Sequence, residues 1–279
     1  MSMFRGLFGV MSTLAVAQPG ALDGSPIGAA DVAIVARCCS VVELRRYTLH
    51  PFKRDVLIDL FEHEFVEAQE VHGIRLIGTF RDLDAPDRFV WLRGFADMAA
   101  RTHALSAFYD GAVWRTHRAA ANRTMVDSHD VLLLRPVWVS AAFDAAQTML
   151  PPRDATTIPP DVVVVHVHHL QAGQLADSVG AFTRDAIPML GDAKIDVIAV
   201  LASESAPNGF PRLPVREGEH VLAWVARYPD VGAHVRSERV LSSHPAWRRI
   251  ESGLRDGAVA PAQMLRLQPT ARSRLPGER

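Results

Sequence analysis

The 279-residue sequence predicts an α+β fold made of two consecutive βαββαβ repeats that pack sheet to sheet within one chain. Three observations carry this reading. Trp91, Phe95, Asp97, Trp114, Arg115, Leu134 and Pro136 return, at the constant offset that separates Trp91 from Trp224, as Trp224, Tyr228, Asp230, Trp247, Arg248, Leu267 and Pro269. With only five Trp in the chain, two pairs held in register mark a duplication. Each copy also runs through strand and helix periodicities in the same order, and a composition 48% hydrophobic and 22% charged is sufficient for two ordinary cores.

The first repeat spans residues 41–136. Val41–Leu49 is rich in β-branched and aromatic residues with partial alternation, and His50-Pro51 stops it, so it reads as a strand. Residues 55–70 place Val56, Leu57, Leu60, Phe61, Phe65 and Ala68 on one helical face, with Gly73 as the stop. Residues 74–80 and 88–95 are apolar runs joined by an Asp- and Pro-rich turn, which predicts a hairpin. A long helical pattern over 97–125, interrupted at Asp110-Gly111, precedes a closing strand over 130–136. The second repeat, residues 161–269, predicts strand 161–170, helix 174–190, strands 195–201 and 220–228, helix 231–254 and strand 263–267. Its hairpin loop around residues 205–214 is longer than that of the first repeat and is placed to overhang a cavity mouth.

A βαββαβ unit is ferredoxin-like: two helices cover one face of a four-stranded sheet and leave the other needing a partner. Two tandem copies supply each other. The predicted architecture is therefore an intramolecular α/β barrel of the dimeric type, with a pseudo-twofold inside one chain and the barrel interior as the natural pocket. Residues 1–40 read as a disordered leader, 137–160 as a Pro-containing linker, and 270–279 as a disordered tail; linker and tail are expected to be exposed.

Thirty basic residues against thirty-one acidic, with a formal charge of −1 and no long basic run, argue against nucleic acid as a partner. Cys38 and Cys39 are adjacent, a poor spacing for a structural disulfide or a metal site. Arg5 precedes an apolar run over residues 6–16, and Ala15-Val16-Ala17 resembles a cleavage site. Gly9, Ser12 and Thr13 interrupt that run, which favours a cytoplasmic protein over one exported through residues 1–17. No stretch reaches the roughly 18 uninterrupted apolar residues of a membrane span.

The segment Glu43-Leu44-Arg45-Arg46-Tyr47-Thr48-Leu49-His50-Pro51 resembles the opening strand of NIPSNAP domains, where Glu-Leu-Arg-x-Tyr-x-Leu precedes a Pro. Phe80-Arg81-Asp82, Phe89 to Arg93, Phe108-Tyr109 and Trp114 to Asn122 continue the likeness through about residue 136. The second half departs from it, with His166 and His168 in place of the Arg and Tyr of the opening motif. The resemblance implies the dimeric α/β-barrel superfamily, whose relatives include small cofactor-free monooxygenases and some haem enzymes. It implies no reaction, because NIPSNAP members have no generally assigned catalytic residues.

Side chains alternate across a strand, so Glu43, Arg45 and Tyr47 share one face while Val42 and Leu44 share the other. The polar set is expected to face the barrel. Aligning Leu49 with Leu170 sets His166 at the position of Arg45 and His168 at that of Tyr47; Trp91, Arg93 and Trp224 complete the expected lining. Such a pocket suits a small apolar or aromatic molecule bearing a carbonyl, phenol or carboxylate. The plainer alternative is that Glu43 and Arg45 form salt bridges at the seam between repeats. His166 and His168, at i and i+2, have a spacing compatible with a divalent metal, Glu43 or another His being a third ligand, but no further ligand cluster lies near in sequence and no metal is expected. His117, a conceivable general base or haem ligand, sits between Arg115 and Arg118 in a pattern typical of solvated helical residues, so no cofactor is expected. No Gly-rich phosphate loop or G-x-S-x-G elbow supports ATP, NAD or hydrolase chemistry.

The function expected from sequence is that of a NIPSNAP-type protein of undetermined reaction, binding a small, partly apolar molecule in the barrel or acting through protein contacts, and compatible with a homo-oligomer. The alternative is an enzyme of the monooxygenase-like barrel class acting on an aromatic or carbonyl substrate. In it Tyr47, His166 or His168 would move protons while Arg45 or Arg93 steadies negative charge.

Overall fold

The computed structural model describes residues 39–138, 142–143 and 149–275. Eight strands, β1 (Val41–Leu49), β2 (Arg75–Asp82), β3 (Arg88–Phe95), β4 (Met125–Pro136), β5 (Val162–His169), β6 (Asp196–Ser203), β7 (Val221–Tyr228) and β8 (Gln263–Pro269), close a barrel in the order β1-β3-β2-β8-β5-β7-β6-β4. Every neighbouring pair is antiparallel. Two seams join the halves: Phe80, Arg81 and Asp82 pair with Pro269, Gln268 and Leu267, and Pro136, Arg135 and Leu134 pair with Leu201, Ala202 and Ser203. The seams are images of one another, which is the internal twofold of the duplicated sequence.

Helices cover the outside. In the first half these are α1 (residues 54–70), α2 (Met98–Tyr109) and α3 (Ala112–Asn122); in the second, α4 (residues 175–192), α5 (Val231–Ser243) and α6 (Pro245–Asp256). Asp97 and Asp230 cap α2 and α5, each accepting at 2.7 Å from the backbone N–H three residues on, of Ala100 and Ala233. That shared cap explains why Asp keeps its register in the repeat. Both α1 and α4 contain one π-helical turn, at Phe61–Phe65 and Phe182–Ala186, again at equivalent positions.

The boundaries differ most from expectation in two places. β4 begins at Met125 because Thr124 turns the chain back on Ala121 and Met125 already pairs with Leu49 of β1. The expected single helix over 231–254 is two, because Pro245 holds His244 in an extended conformation and cannot donate to the preceding turn.

Strand alternation sorts the side chains into three cores. Val42 and Leu44, Val90 and Leu92, Leu132 and Leu134, Val163, Val165 and Val167, Val221, Ala223 and Val225, with Ile77, Phe80, Ala199, Leu201, Leu265 and Leu267, form one cluster drawn from all eight strands, the barrel interior. An eight-stranded barrel is only just wide enough for side chains to fill, so this interior is an aliphatic core and not the expected pocket. The outer faces pack under the helices, Tyr47, Phe89 and Trp91 against Phe61 and Phe65 in the first half, and Val164 and Trp224 against Phe182 and Trp247 in the second.

The described part of the expected tail, residues 270–275, is buried instead of exposed. β2 meets β8 only at residues 80–82, and the returning chain satisfies its remaining edge. Thr270 N donates to Thr79 O at 2.9 Å, Thr79 N to Ser273 Oγ at 3.1 Å, and Leu275 N to Ile77 O at 3.1 Å. The linker is partly built in as well: Phe143 packs on the barrel core and Leu150 under the first helical layer. The leader, save residues 39 and 40, lies outside the described residues. Cys39 is disulfide-bonded, which the spacing of the two cysteines argued against.

Candidate functional site

The eight residues expected to line one hollow lie on the outer, helix-covered faces of the barrel and divide into two sets. Glu43, Arg45, Tyr47, Trp91 and Arg93 lie beneath the first helical layer; His166, His168 and Trp224 lie on the corresponding face of the second half. The correction follows from alternation. In β1 the aliphatic face of Val42 and Leu44 took the barrel interior, which left Glu43, Arg45 and Tyr47 to the helices, where side-chain partners exist.

In the first half β1 and β3 set Glu43 opposite Arg93 and Arg45 opposite Trp91. Arg101 descends from α2. Glu43, Arg45, Arg93 and Arg101 are all fully buried. Arg45 Nη1 and Arg93 Nε donate to Glu43 Oε2 at 2.6 and 2.7 Å, and Arg101 Nε donates to Oε1 at 2.7 Å. Each guanidinium then reaches one neutral acceptor: Arg45 Nε the Tyr47 hydroxyl at 3.0 Å, Arg93 Nη1 the Gln69 Oε1 at 3.1 Å, and Arg101 Nη1 the Asn208 Oδ1 at 2.9 Å. In all three the Nη2 is buried without an acceptor, as is Trp91 Nε1.

Three cations against one anion leave the cluster two charges positive. Burial opposes ionisation of Glu43, but Arg93, Arg45 and Arg101 outweigh it and hold its carboxyl well below the usual carboxylate range. Arg101 shows the excess: burial lowers its pKa, Glu43 opposes that, and Arg93 and Arg45 add repulsion. The ring faces of Trp91 and Tyr47 near Arg45, and of Trp91 and Phe95 near Arg93, return part of the lost solvation. Buried donors left unmade cost about 1–3 kcal/mol each, a large fraction of a typical net stability.

Against the cluster lies a chamber of about 30 Å³ lined by Tyr47, Phe61, Phe65, Gln69, Trp91, Phe108, Tyr109 and Trp114, with Leu57, Ala121 and Met125. That holds about two water molecules. The long hairpin loop of the second half packs on the same layer: Phe210 stacks on the chamber residue Tyr109 with centroids 5.8 Å apart, and Leu213 joins the same cluster. The salt bridge between Glu43 and Arg45 is real, but it lies inside the first half and not at the seam between repeats.

The twofold shows what the second half has lost. The pairings Val164 with Ala226 and His166 with Trp224 match those of Glu43 with Arg93 and Arg45 with Trp91. Counting from the two Asp caps, His234 stands for Arg101. The charged cluster is thus replaced by Val164, His166, Ala226 and His234. His166 stacks flat on Trp224, centroids 3.8 Å apart, and burial, with His168 and His234 adding repulsion, brings its pKa to about 3. Burial, with His169 adding to it, brings that of His168 to about 4, so both are neutral at pH 7. Among the described residues no group of three or more His, Cys, Asp or Glu is placed to hold a metal ion, and no helix is long and apolar enough to cross a membrane. His117 is half-buried on α3, 3.5 Å from Glu64.

Sequence reasoning missed Gln69, Arg101 and Asn208. Arg101 had a signal: it falls on the same helical stripe as Ala104, Leu105 and Phe108, where a charge demands a buried partner. Asn208 had none, since its contact crosses 107 positions.

Fold and site together define a fused two-repeat α/β-barrel protein with an over-positive buried cluster beside a small aromatic chamber in its first repeat. Residues 42–141 match the NIPSNAP family model. No curated protein matches the sequence. Among solved structures it is similar to an anthrone oxidase-like protein (TM-score 0.56, 15% identity, 82% of this chain and 91% of that one). It is also similar to a candidate monooxygenase from Fusobacterium nucleatum (TM-score 0.52, 10% identity, 82% and 92%). A NIPSNAP family protein from Agrobacterium tumefaciens covers 41% of this chain and 90% of its own at 12% identity, with a TM-score of 0.34. At these identities the likeness is one of fold.

Proposed function

We propose that the chamber of the first repeat binds a small anion carried on an aromatic or otherwise apolar body. The observation behind this is the charge count: three fully buried guanidiniums share one carboxylate, and each keeps one nitrogen without an acceptor. A carboxylate, phenolate or enolate oxygen supplies both the missing charge and the missing acceptors. The aromatic lining suits a flat apolar body. A benzene ring needs a cavity of roughly 150 Å³, so binding requires the chamber to widen, and the Phe210 loop is the element positioned to yield.

Calorimetry on the full chain with benzoate and its neutral isostere benzamide tests the reading. Saturable benzoate binding, at least about tenfold tighter than benzamide and lost in Arg101→Gln, is the expected result. Equal binding of the two compounds, or none by benzoate into the millimolar range, overturns it.

A catalytic version rests on Tyr47. Its hydroxyl accepts from Arg45, and burial raises its pKa, so it keeps a proton to donate toward an oxyanion held by the guanidiniums. The fold likeness to oxygenase-named proteins supports the scaffold alone. Aerobic turnover of an aromatic ketone that Tyr47→Phe abolishes while benzoate binding persists would establish this version. His166 and His168 lie under the other helical layer and take no part in it.

A further inference from the structure

The twofold that relates the repeats carries three residues of the first chamber's lining onto the lining of a recess beside the end of α6. Tyr47, Ala121 and Met125 line the one; their counterparts His168, Leu254 and Ala258 line the other. The two differ in size: the recess measures about 440 Å³ against about 30 Å³ for the chamber. That volume lies within the ordinary range for a bound small molecule, roughly 300–1,000 Å³.

They have diverged in charge as well. Nothing in the second half replaces the three guanidiniums. The walls of the recess are Leu254, Val259, Pro261 and small alanines, and its two charged members, Glu251 and Arg255, carry opposite signs one turn apart on α6. The inner polar group is His168, whose Nε2 is buried and has no partner. Its imidazole is uncharged at pH 7, so it offers a hydrogen bond without a charge.

We infer that the second repeat holds a separate binding site for an uncharged apolar molecule bearing one hydroxyl, of the phenol or alcohol class, with His168 as its hydrogen-bonding partner. This site does not depend on the anion reading of the first chamber.

The test titrates p-cresol into the full chain by calorimetry, for the wild type, for Val259→Trp, which fills the recess from an exposed position, and for His168→Leu, which keeps the wall and removes the hydrogen bond. Far-UV circular dichroism checks that each variant folds. Saturable binding that Val259→Trp abolishes and His168→Leu weakens about tenfold is expected. Absence of saturable binding into the millimolar range, binding that survives Val259→Trp, or indifference to His168→Leu each overturns the inference. Benzoate binding to the first chamber is measured on the same variants and stays as it is in the wild type, so failure of one site is told apart from failure of the other.

Discussion

Arg101 of the first repeat donates from Nη1 to Oδ1 of Asn208 in the second, at 2.9 Å, so the buried charge cluster of one half is completed by a loop of the other. Asn208 is itself held firmly: its Oδ1 also accepts from Phe210 N, its Nδ2 donates to Leu213 O, and its backbone N–H donates to Glu217. Replacing it by Ala removes an acceptor from a buried guanidinium and should cost about 1–3 kcal/mol. Gly209→Ala should loosen the same loop by another route, because a Cβ there meets Thr102 Oγ1 at 2.4 Å. Urea midpoints and faster hydrogen exchange at the Ala206 and Asn208 amides check both. A loop as protected in the variants as in the wild type would show that it is held by Phe210 and Leu213 alone.

Glu43 is the only anion among four buried charges. Glu43→Gln leaves three guanidiniums with no countercharge and should destabilise by about 3–5 kcal/mol. Removing Arg45 in the same chain, as Glu43→Gln with Arg45→Met, should be milder than the single change, since one of the stranded charges leaves with it. The pH dependence follows from the depressed folded pKa. Between the folded and unfolded values the unfolded chain binds the proton, so the stabilisation is complete above the ordinary carboxylate range and is lost as pH falls through it toward the lower folded value. In Glu43→Gln that acid limb should flatten in denaturant titrations.

The fold was legible because duplication prints the same structural needs twice. Trp91 and Trp224 recur where each sheet meets the first helix of its own layer, and Asp97 and Asp230 recur as helix caps. The membership of the Glu43, Arg45, Tyr47, Trp91 and Arg93 set was also legible, because one strand face carries β1's three and pairing brings β3's two across. The direction of that face was not. Alternation says which residues are together and is silent on which side is inside; the aliphatic face of Val42 and Leu44 decided it, since a closed barrel this narrow excludes water. The π turns left no mark in the apolar period, and the burial of residues 270–275 depends on an unpaired edge of β2 that no local pattern reveals.

The two strand histidines give the second repeat its own acid sensitivity. Both are held neutral, with folded pKa values of about 3 for His166 and about 4 for His168, below the ordinary 6.5. The unfolded chain takes up their protons first, so stability is full above pH about 6.5 and falls as the pH drops toward 4, by up to about 1.4 kcal/mol per pH unit for each histidine. His166→Phe, which retains the stack on Trp224, should remove one proton's worth of that slope. Urea midpoints from pH 7 to pH 4.5 decide it; a variant with the wild-type slope would assign the sensitivity elsewhere.

Arg272 ties the returning chain to the first helical layer. Its backbone N–H donates to Glu62 Oε1 at 3.0 Å, and its guanidinium reaches Glu62 O, Pro151 O and the Glu67 carboxylate. Arg272 is buried, whereas Glu67, whose pKa is lowered by that hydrogen bond, is half-exposed, so most of the contribution lies in the bonds to backbone carbonyls. Arg272→Ala should therefore cost more than Glu67→Ala: about 2–3 kcal/mol for stranded buried acceptors, against less than about 1 kcal/mol for an exposed ion-pair partner. Exchange at the Leu275 and Thr79 amides, which bond across this segment, should accelerate in Arg272→Ala while Val165, between β7 and β8, stays protected. Equal effects of the two substitutions would mean that the ion pair, and not the backbone bonds, holds the chain end against β2.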